Sequence, residues 1–234
     1  MKIAICFSGQ PRIMIDGIMD NINRNIIESN NCDIFTYASK DDGKFSNSYK
    51  MLSDILKNFN CISTKFKDDF FLDFEDRPMF SDISNRYKKE EVSGKVKIQG
   101  ILQQMFYIEE CNKLREIYES ENNFKYDWVI RCRFDIAFYD KLNLDNYSNE
   151  PNKVYLRKRK IGRSKFDDCF AFGDSASMSI YSNRFSYLTE LNEKSTNAIF
   201  STETLMMYVL NKYGIEVVTE NLPGFDRVDK FIEW

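Results

Sequence analysis

In the run WVIRCRFDIAF, residues 128–138, Arg131, Arg133 and Asp135 stand at every second position among apolar and aromatic residues. A strand sends residues i, i+2 and i+4 to one face. The strand expected over 127–135 therefore carries the three charges on one side and Trp128, Ile130, Cys132 and Phe134 on the other. Charge inside a buried strand is costly unless it is paired or meets a ligand at the strand end. One reading is an internal Arg–Asp salt bridge. The other is a site in which the arginines neutralise phosphate and Asp135 offers oxygen to a hard cation, Mg²⁺ or Mn²⁺.

Three other stretches carry groups able to bind or react. In FSGQPR, residues 7–12, Gly9 permits close backbone approach and Ser8 and Gln10 offer hydrogen bonds. Pro11 sets the turn, and Arg12 can pair with a phosphate. An ordinary strand-to-helix turn with an exposed arginine accounts for the same residues. In FDDCFAFGDS, Asp167 and Asp168 precede an apolar run, and either could deprotonate a hydroxyl. Asp174 suits a helix N-cap. Glu203, in FSTETLMM, falls in the first turn of a helix, where the dipole alone favours it; acceptor binding or base chemistry is its other reading. The basic run LRKRKIGRSK, 156–165, is either a solvated hairpin or a patch attracting a diphosphate, an acidic glycan or a lipid pyrophosphate.

Composition narrows the chemistry. Among 234 residues there is no histidine, which excludes Ser-His-Asp and Cys-His catalysis and HExxH zinc sites. The net charge of -3 argues against a general nucleic-acid binder. No apolar run nears the roughly 18 residues a membrane span needs, and the N-terminus turns polar too soon for a signal peptide. Six scattered cysteines without a CxxC pair read as reduced thiols, and the expected location is cytoplasmic.

These residues must be held by a frame that the apolar pattern outlines. Residues 2–7 read as a strand, 13–29 as a helix, 33–38 as a strand, 51–59 as a helix and 61–66 as a strand. This alternation is the mark of a parallel sheet covered on both faces. Residues 68–92 break the rhythm and read as a surface loop. A long helix is expected over 95–121, strands over 153–157 and 168–172, a helix over 175–189, a helix over 202–213 and a strand over 215–219. The tail, 220–234, is expected to pack back through Phe225, Phe231 and Trp234. With 9 glycines and 4 prolines and no linker-like tract, one domain is expected. In open α/β sheets, ligands bind outside the carboxyl ends of the strands; SGQPR and RFD both fall there.

Taken together, FSGQPR, ILQQMFYIEECNKLREIYE, YDWVIRCRFDIAF and FDDCFAFGDSASM resemble the GT-A-type nucleotide-sugar glycosyltransferases of large DNA viruses and bacterial surface-polysaccharide gene clusters. The likeness covers most of the chain and is poor around 68–92 and 220–234. It implies a single-domain, Rossmann-like α/β three-layer sandwich with a mostly parallel sheet, a nucleotide-binding half over about 1–135 and an acceptor-side half over about 136–234. It implies transfer of a sugar from a UDP- or GDP-sugar to a glycan or lipid-linked acceptor; the basic residues 157–165 could add peripheral membrane contact. Phe7, Ser8, Gly9, Gln10 and Arg12, with Arg131 and Arg133, would line the nucleotide site. Asp167, Asp168 or Glu203 would supply a base. Asp135 would stand at the last position of a metal-binding DxD motif, holding Mn²⁺ or Mg²⁺. Arg133 occupies the first position of that triplet, so one carboxylate is missing; a second ligand could come from Asp167 or Asp168, or the arginines could stabilise the diphosphate without metal. A non-catalytic nucleotide- or glycan-binding protein is the alternative from another class. A nucleotidyl- or sulfotransferase rests only on the first turn.

Overall fold

The computed structural model describes residues 1–11, 17–40, 48–67, 98–158, 166–190 and 202–228. Apolar β-branched and aromatic runs form the strands of a seven-stranded sheet. They are β1 (Ile3–Gly9), β2 (Asp33–Ser39), β3 (Cys61–Lys67), β4 (Trp128–Cys132), β6 (Lys153–Lys158), β7 (Phe166–Gly173) and β8 (Glu216–Val218). Their order across the sheet is β3-β2-β1-β4-β7-β6-β8. The pairs β1–β2, β2–β3, β1–β4 and β6–β8 are parallel; β7 runs antiparallel to both neighbours. The sheet is thus mostly parallel, as expected, with one reversed strand. The two shortest strands, β5 (Ile136–Phe138) and β9 (Phe225–Arg227), pair antiparallel in a separate ribbon, which the pattern of apolar residues did not announce.

Burial on both faces of β1, whose residues 3–8 are all buried, requires helices on each side. On one face lie α1 (Ile18–Ile22) and α2 (Glu28–Asn30), joined by a π-helical segment over Asn23–Ile27, and α3 (Ser48–Leu56). Ile18, Met19, Ile22, Ile26, Leu52 and Leu56 pack there with Ile3, Ile5 and Phe7. On the other face lie α4 (Ile98–Glu121), α5 (Ser175–Ser182) and α6 (Thr202–Lys212). Tyr107, Cys111, Leu114, Met178, Tyr181, Met206 and Leu210 pack against Ala4, Cys6 and Val129. Each large apolar side chain buried there contributes roughly 1.5–3 kcal/mol.

Several expectations shift. Helical spacing also puts Ile117 on the apolar stripe of the long helix, yet it is 52% exposed; the packed face runs from Leu114 to Tyr118, which meets Phe35, and Arg115 and Glu119 form a buried ion pair beside it. The helix expected over 175–189 closes at Ser182 and is followed by a 3₁₀ turn at Phe185–Tyr187. Asp174 does cap α5, accepting from the amides of Ala176 and Ser177. Phe225 packs on Phe138 and Phe170. Residues 68–92, Phe231 and Trp234 lie outside the described residues. All six cysteines are free thiols, five of them buried.

Gly173 marks the tightest passage in the sheet. It lies opposite Val129 and Val154, and a Cβ there would come 2.6 Å from the carbonyl oxygen of Lys153. A backbone oxygen cannot step aside as a flexible side chain can. Gly173→Ala is therefore expected to destabilise the fold by about 1–3 kcal/mol, measured as a lowered midpoint in urea unfolding.

Candidate functional site

The chain runs outward from β1 to β2 and β3, then returns to the other side of β1 as β4. The sheet order therefore reverses between β1 and β4, the position at which doubly wound α/β proteins hold ligands. A cleft of ≈ 160 Å³, lined by both polar and apolar groups and partly open to solvent, lies there. Its walls come from three elements. The end of β1 supplies Ser8 and Gly9, with Gln10 beyond; the first turns of α4 supply Gly100, Gln103, Gln104 and Tyr107; the turn after β4 supplies Arg133, Phe134 and Asp135.

That turn departs from the expected strand. β4 ends at Cys132. One further rung joins the Arg133 amide to the Cys169 carbonyl at 3.2 Å, and then the Asp135 carbonyl accepts from the Val228 amide at 2.9 Å. The backbone bends between these two partners, and the ribbon begins. The apolar alternation runs on past β4: Trp128, Ile130, Cys132 and Phe134 join one apolar cluster and Val129 the other. Phe134 is held by stacking on Phe7, centroids 5.5 Å apart and planes at 21°. The three charges thus part company. Arg131 stays in the sheet, fully buried, its Nη1 donating to the carbonyls of Asp168 and Cys169. Arg133 and Asp135 sit in the bend and face the cleft.

Arg133 binds Asp135 as a fork, Nε to Oδ1 at 2.6 Å and Nη2 to Oδ2 at 2.7 Å. Arg227 Nε approaches the same carboxylate at 3.4 Å. Burial works against the Arg133 charge, yet the Asp135 bonds outweigh it and raise the guanidinium pKa above its ordinary value. Ser8 is buried, and its Oγ has no hydrogen-bond partner among the described residues. An unmet buried hydroxyl costs about 1–3 kcal/mol, so this is a place where a polar ligand atom has something to gain. Gly9 adopts φ 114°, a region that favours glycine; nothing lies within 4 Å of where its Cβ would be. Backbone conformation, rather than crowding, asks for glycine at this point.

Behind the cleft lies a cluster that holds its wall. Gln104 Nε2 donates to Asp168 Oδ2 at 3.0 Å, and Arg184 Nη1 reaches the same oxygen at 3.2 Å. Burial alone would raise the Asp168 pKa, but Arg184, Arg131 and Arg133 together hold it below the usual carboxylate range. Asp167 turns elsewhere, to Arg157 Nη2 at 2.6 Å and the Cys169 amide at 2.9 Å. Arg157 in turn donates to the Phe225 carbonyl and lies over the Phe225 ring, 3.7 Å from its centroid. Both aspartates are inside β7 rather than before it, because the strand begins at Phe166. Neither lines the cleft. Glu203 sits half-buried in the first turn of α6, accepting from Thr202 Oγ1 at 3.2 Å, away from the cleft walls. Arg12 and residues 159–165 lie outside the described residues; Lys158, at the start of that stretch, is exposed.

Of the residues singled out in the sequence, Ser8, Gly9, Gln10, Arg133 and Asp135 meet at one cleft. Phe7 supports it from below by stacking on Phe134. Gln103, Gln104 and Tyr107 were missed. Their signal was faint: three polar or amphipathic side chains at i, i+1 and i+4 near the start of a helix, a pattern that usually means a solvated face. Arg184 gave no signal at all, since its role depends on a carboxylate 16 residues earlier in another element.

A mixed, mostly parallel sheet with helices on both faces and a cleft at its switch point makes this an α/β protein compatible with a Rossmann-like sandwich. The profile of a family described as a domain of unknown function, DUF7796, matches residues 1–226, and the chain belongs to that family. A search of curated proteins returns no match. No helix among the described residues is long and apolar enough to cross a membrane.

Proposed function

We propose that the protein is a glycosyltransferase of GT-A type, moving a sugar from a nucleotide-diphosphate donor to a glycan or lipid-linked acceptor. The observation that carries this reading is the convergence of SGQ from β1 and the Arg133–Asp135 pair from β4 on one cleft at the switch point of the sheet. In this reading the nucleotide lies against the end of β1, as the resemblance implies, and the diphosphate meets Arg133. The guanidinium then offsets the charge that grows on the leaving group as the glycosidic bond breaks. Asp168 acts as a positioning residue through Gln104, and Asp167 holds the ribbon to the sheet through Arg157. The exposed Lys158 and the basic residues after it would draw an anionic acceptor toward the site.

A cleft whose one carboxylate among the described residues is already bound by arginine also favours a second reading, a binding protein without turnover. The two separate in a direct experiment. Incubation with a panel of UDP-, GDP- and CMP-sugars should raise the melting temperature with at least one donor and release its nucleotide. Asp135→Ala should reduce that release by about 100-fold by letting Arg133 lose its place, while the circular dichroism spectrum stays unchanged. Stabilisation by a donor without any release, with or without added metal, would favour the binding protein. Neither stabilisation nor release with any donor would end both readings.

A further inference from the structure

The resemblance implies a divalent cation at Asp135, and the residues present do not fit one. Mg²⁺ and Mn²⁺ ask for several oxygen ligands, usually more than one of them a carboxylate or a phosphate. Asp135 is the one carboxylate among the described residues that line the cleft. Both its oxygens accept from Arg133, and Arg227 stands 3.4 Å from one of them. A dication placed there would face two guanidinium groups and would have to displace a charge-assisted fork. Asp167, Asp168 and Cys169 form the one cluster of three potential ligands among the described residues. Its carboxylates are held by Arg157, Arg184 and Gln104, and burial pushes the Cys169 thiol up, away from the thiolate a metal needs.

The same geometry describes a different device. A guanidinium carries five N–H groups in a fixed fork, and the bonds to Asp135 use two of them. Asp135 thereby fixes the plane of Arg133, whose side chain is 16% exposed and lines the cleft. Ser8 lines the same cleft, and its hydroxyl has no hydrogen-bond partner among the described residues. We infer that this cleft binds a nucleoside diphosphate without a divalent cation, with Arg133 and the Ser8 hydroxyl taking the phosphate oxygens and Asp135 serving as the positioning residue for Arg133. This rests on the donor-binding reading above and specifies how that site meets its phosphates.

The test is calorimetric titration of the full chain with UDP and with GDP, first after treatment with EDTA and then with excess Mn²⁺. The nucleotide that binds should do so in EDTA, with an affinity changed less than about three-fold by Mn²⁺. Arg133→Gln should weaken that diphosphate by about 10-fold or more, the loss of a charged hydrogen-bond donor. It should leave binding of the corresponding nucleoside unchanged. Asp135→Asn should lower the same diphosphate-to-nucleoside ratio, a selective loss that general damage to the fold would not produce. Binding that requires Mn²⁺, or an Asp135→Asn variant that keeps the ratio, overturns the inference and leaves the transferase reading standing. No binding of either nucleotide under either condition overturns the donor-binding reading and this inference with it.

Discussion

Arg115→Met is expected to cost the fold roughly 3–5 kcal/mol, the range for removing one partner of a buried ion pair. Arg115 is completely buried and Glu119 with it. The guanidinium donates to Glu119 Oε1 at 2.6 Å, to the hydroxyls of Ser175 and Ser179 at 2.6 and 2.7 Å, and to Asn112 Oδ1 at 2.8 Å. One side chain therefore joins α4 to the first two turns of α5. Burial would raise the Glu119 pKa; Arg115, the Tyr126 amide, Lys125 and Ser175 outweigh it and hold the carboxyl below its usual range. Methionine fills much of the volume but leaves that carboxylate without its main counter-charge. For a chain of this size each kcal/mol shifts the melting temperature by about 2–4 °C, so a drop on the order of 10 °C is expected. Adding Glu119→Leu should recover a large part of the loss, because the cost lies in the stranded charge rather than in the absent bond. Urea unfolding of both variants checks this. A single-variant loss below about 1 kcal/mol would mean the pair is no stronger than one on the surface.

Asp168→Asn should cost about 3 kcal/mol near neutral pH and should also flatten the acid limb of the stability curve. Three arginines surround this one carboxylate, and their attraction keeps its folded pKa depressed. A carboxyl with a depressed folded pKa stabilises the fold at pH values above its unfolded value, near 3.9. That contribution is lost as pH falls through the folded value. The wild type should thus lose stability increasingly below about pH 4, and the gap between it and the Asn variant should narrow there. Asp167 and Glu119 have depressed values for similar reasons and keep acting in both proteins, so some acid sensitivity survives the substitution. Urea midpoints measured from pH 7 downward test the sign directly: a gap that widens in acid would mean that Asp168 is not the charged partner of these arginines. Asp168 also anchors Gln104, so the variant should loosen one wall of the cleft without touching the Arg133–Asp135 pair.

Most of the frame was legible in the residues themselves. The strands at 2–7, 33–38 and 61–66 and the long helix before Trp128 are all present within a few residues of their expected bounds. Their apolar spacing is a local property, and burial on both faces demands continuous apolar runs. The reversal of β7 was not legible, since an apolar strand reads the same in either direction. β5 and β9 were too short to carry a period and exist because each completes the other.

At the site, the sequence alone determined which groups were available: an arginine-rich strand end with one carboxylate, a Ser-Gly turn, and no histidine. It also placed both segments at carboxyl ends of strands, because strand direction and turn position follow from local pattern. Tertiary structure decided how those groups are used. Alternation made Arg131, Arg133 and Asp135 look equivalent, but the chain bends after Cys132 toward β9, more than 85 residues further along. That bend leaves Arg131 bonded to the backbone of β7 and lets Arg133 close on Asp135. Likewise Asp167 and Asp168 are adjacent in the chain yet serve Arg157 and Arg184 in different elements. The Arg133–Asp135 pair was one of the two readings that their spacing allowed; for Asp167 and Asp168 the partner is whichever opposite charge the fold brings within hydrogen-bonding distance, and spacing along the chain carries no record of it.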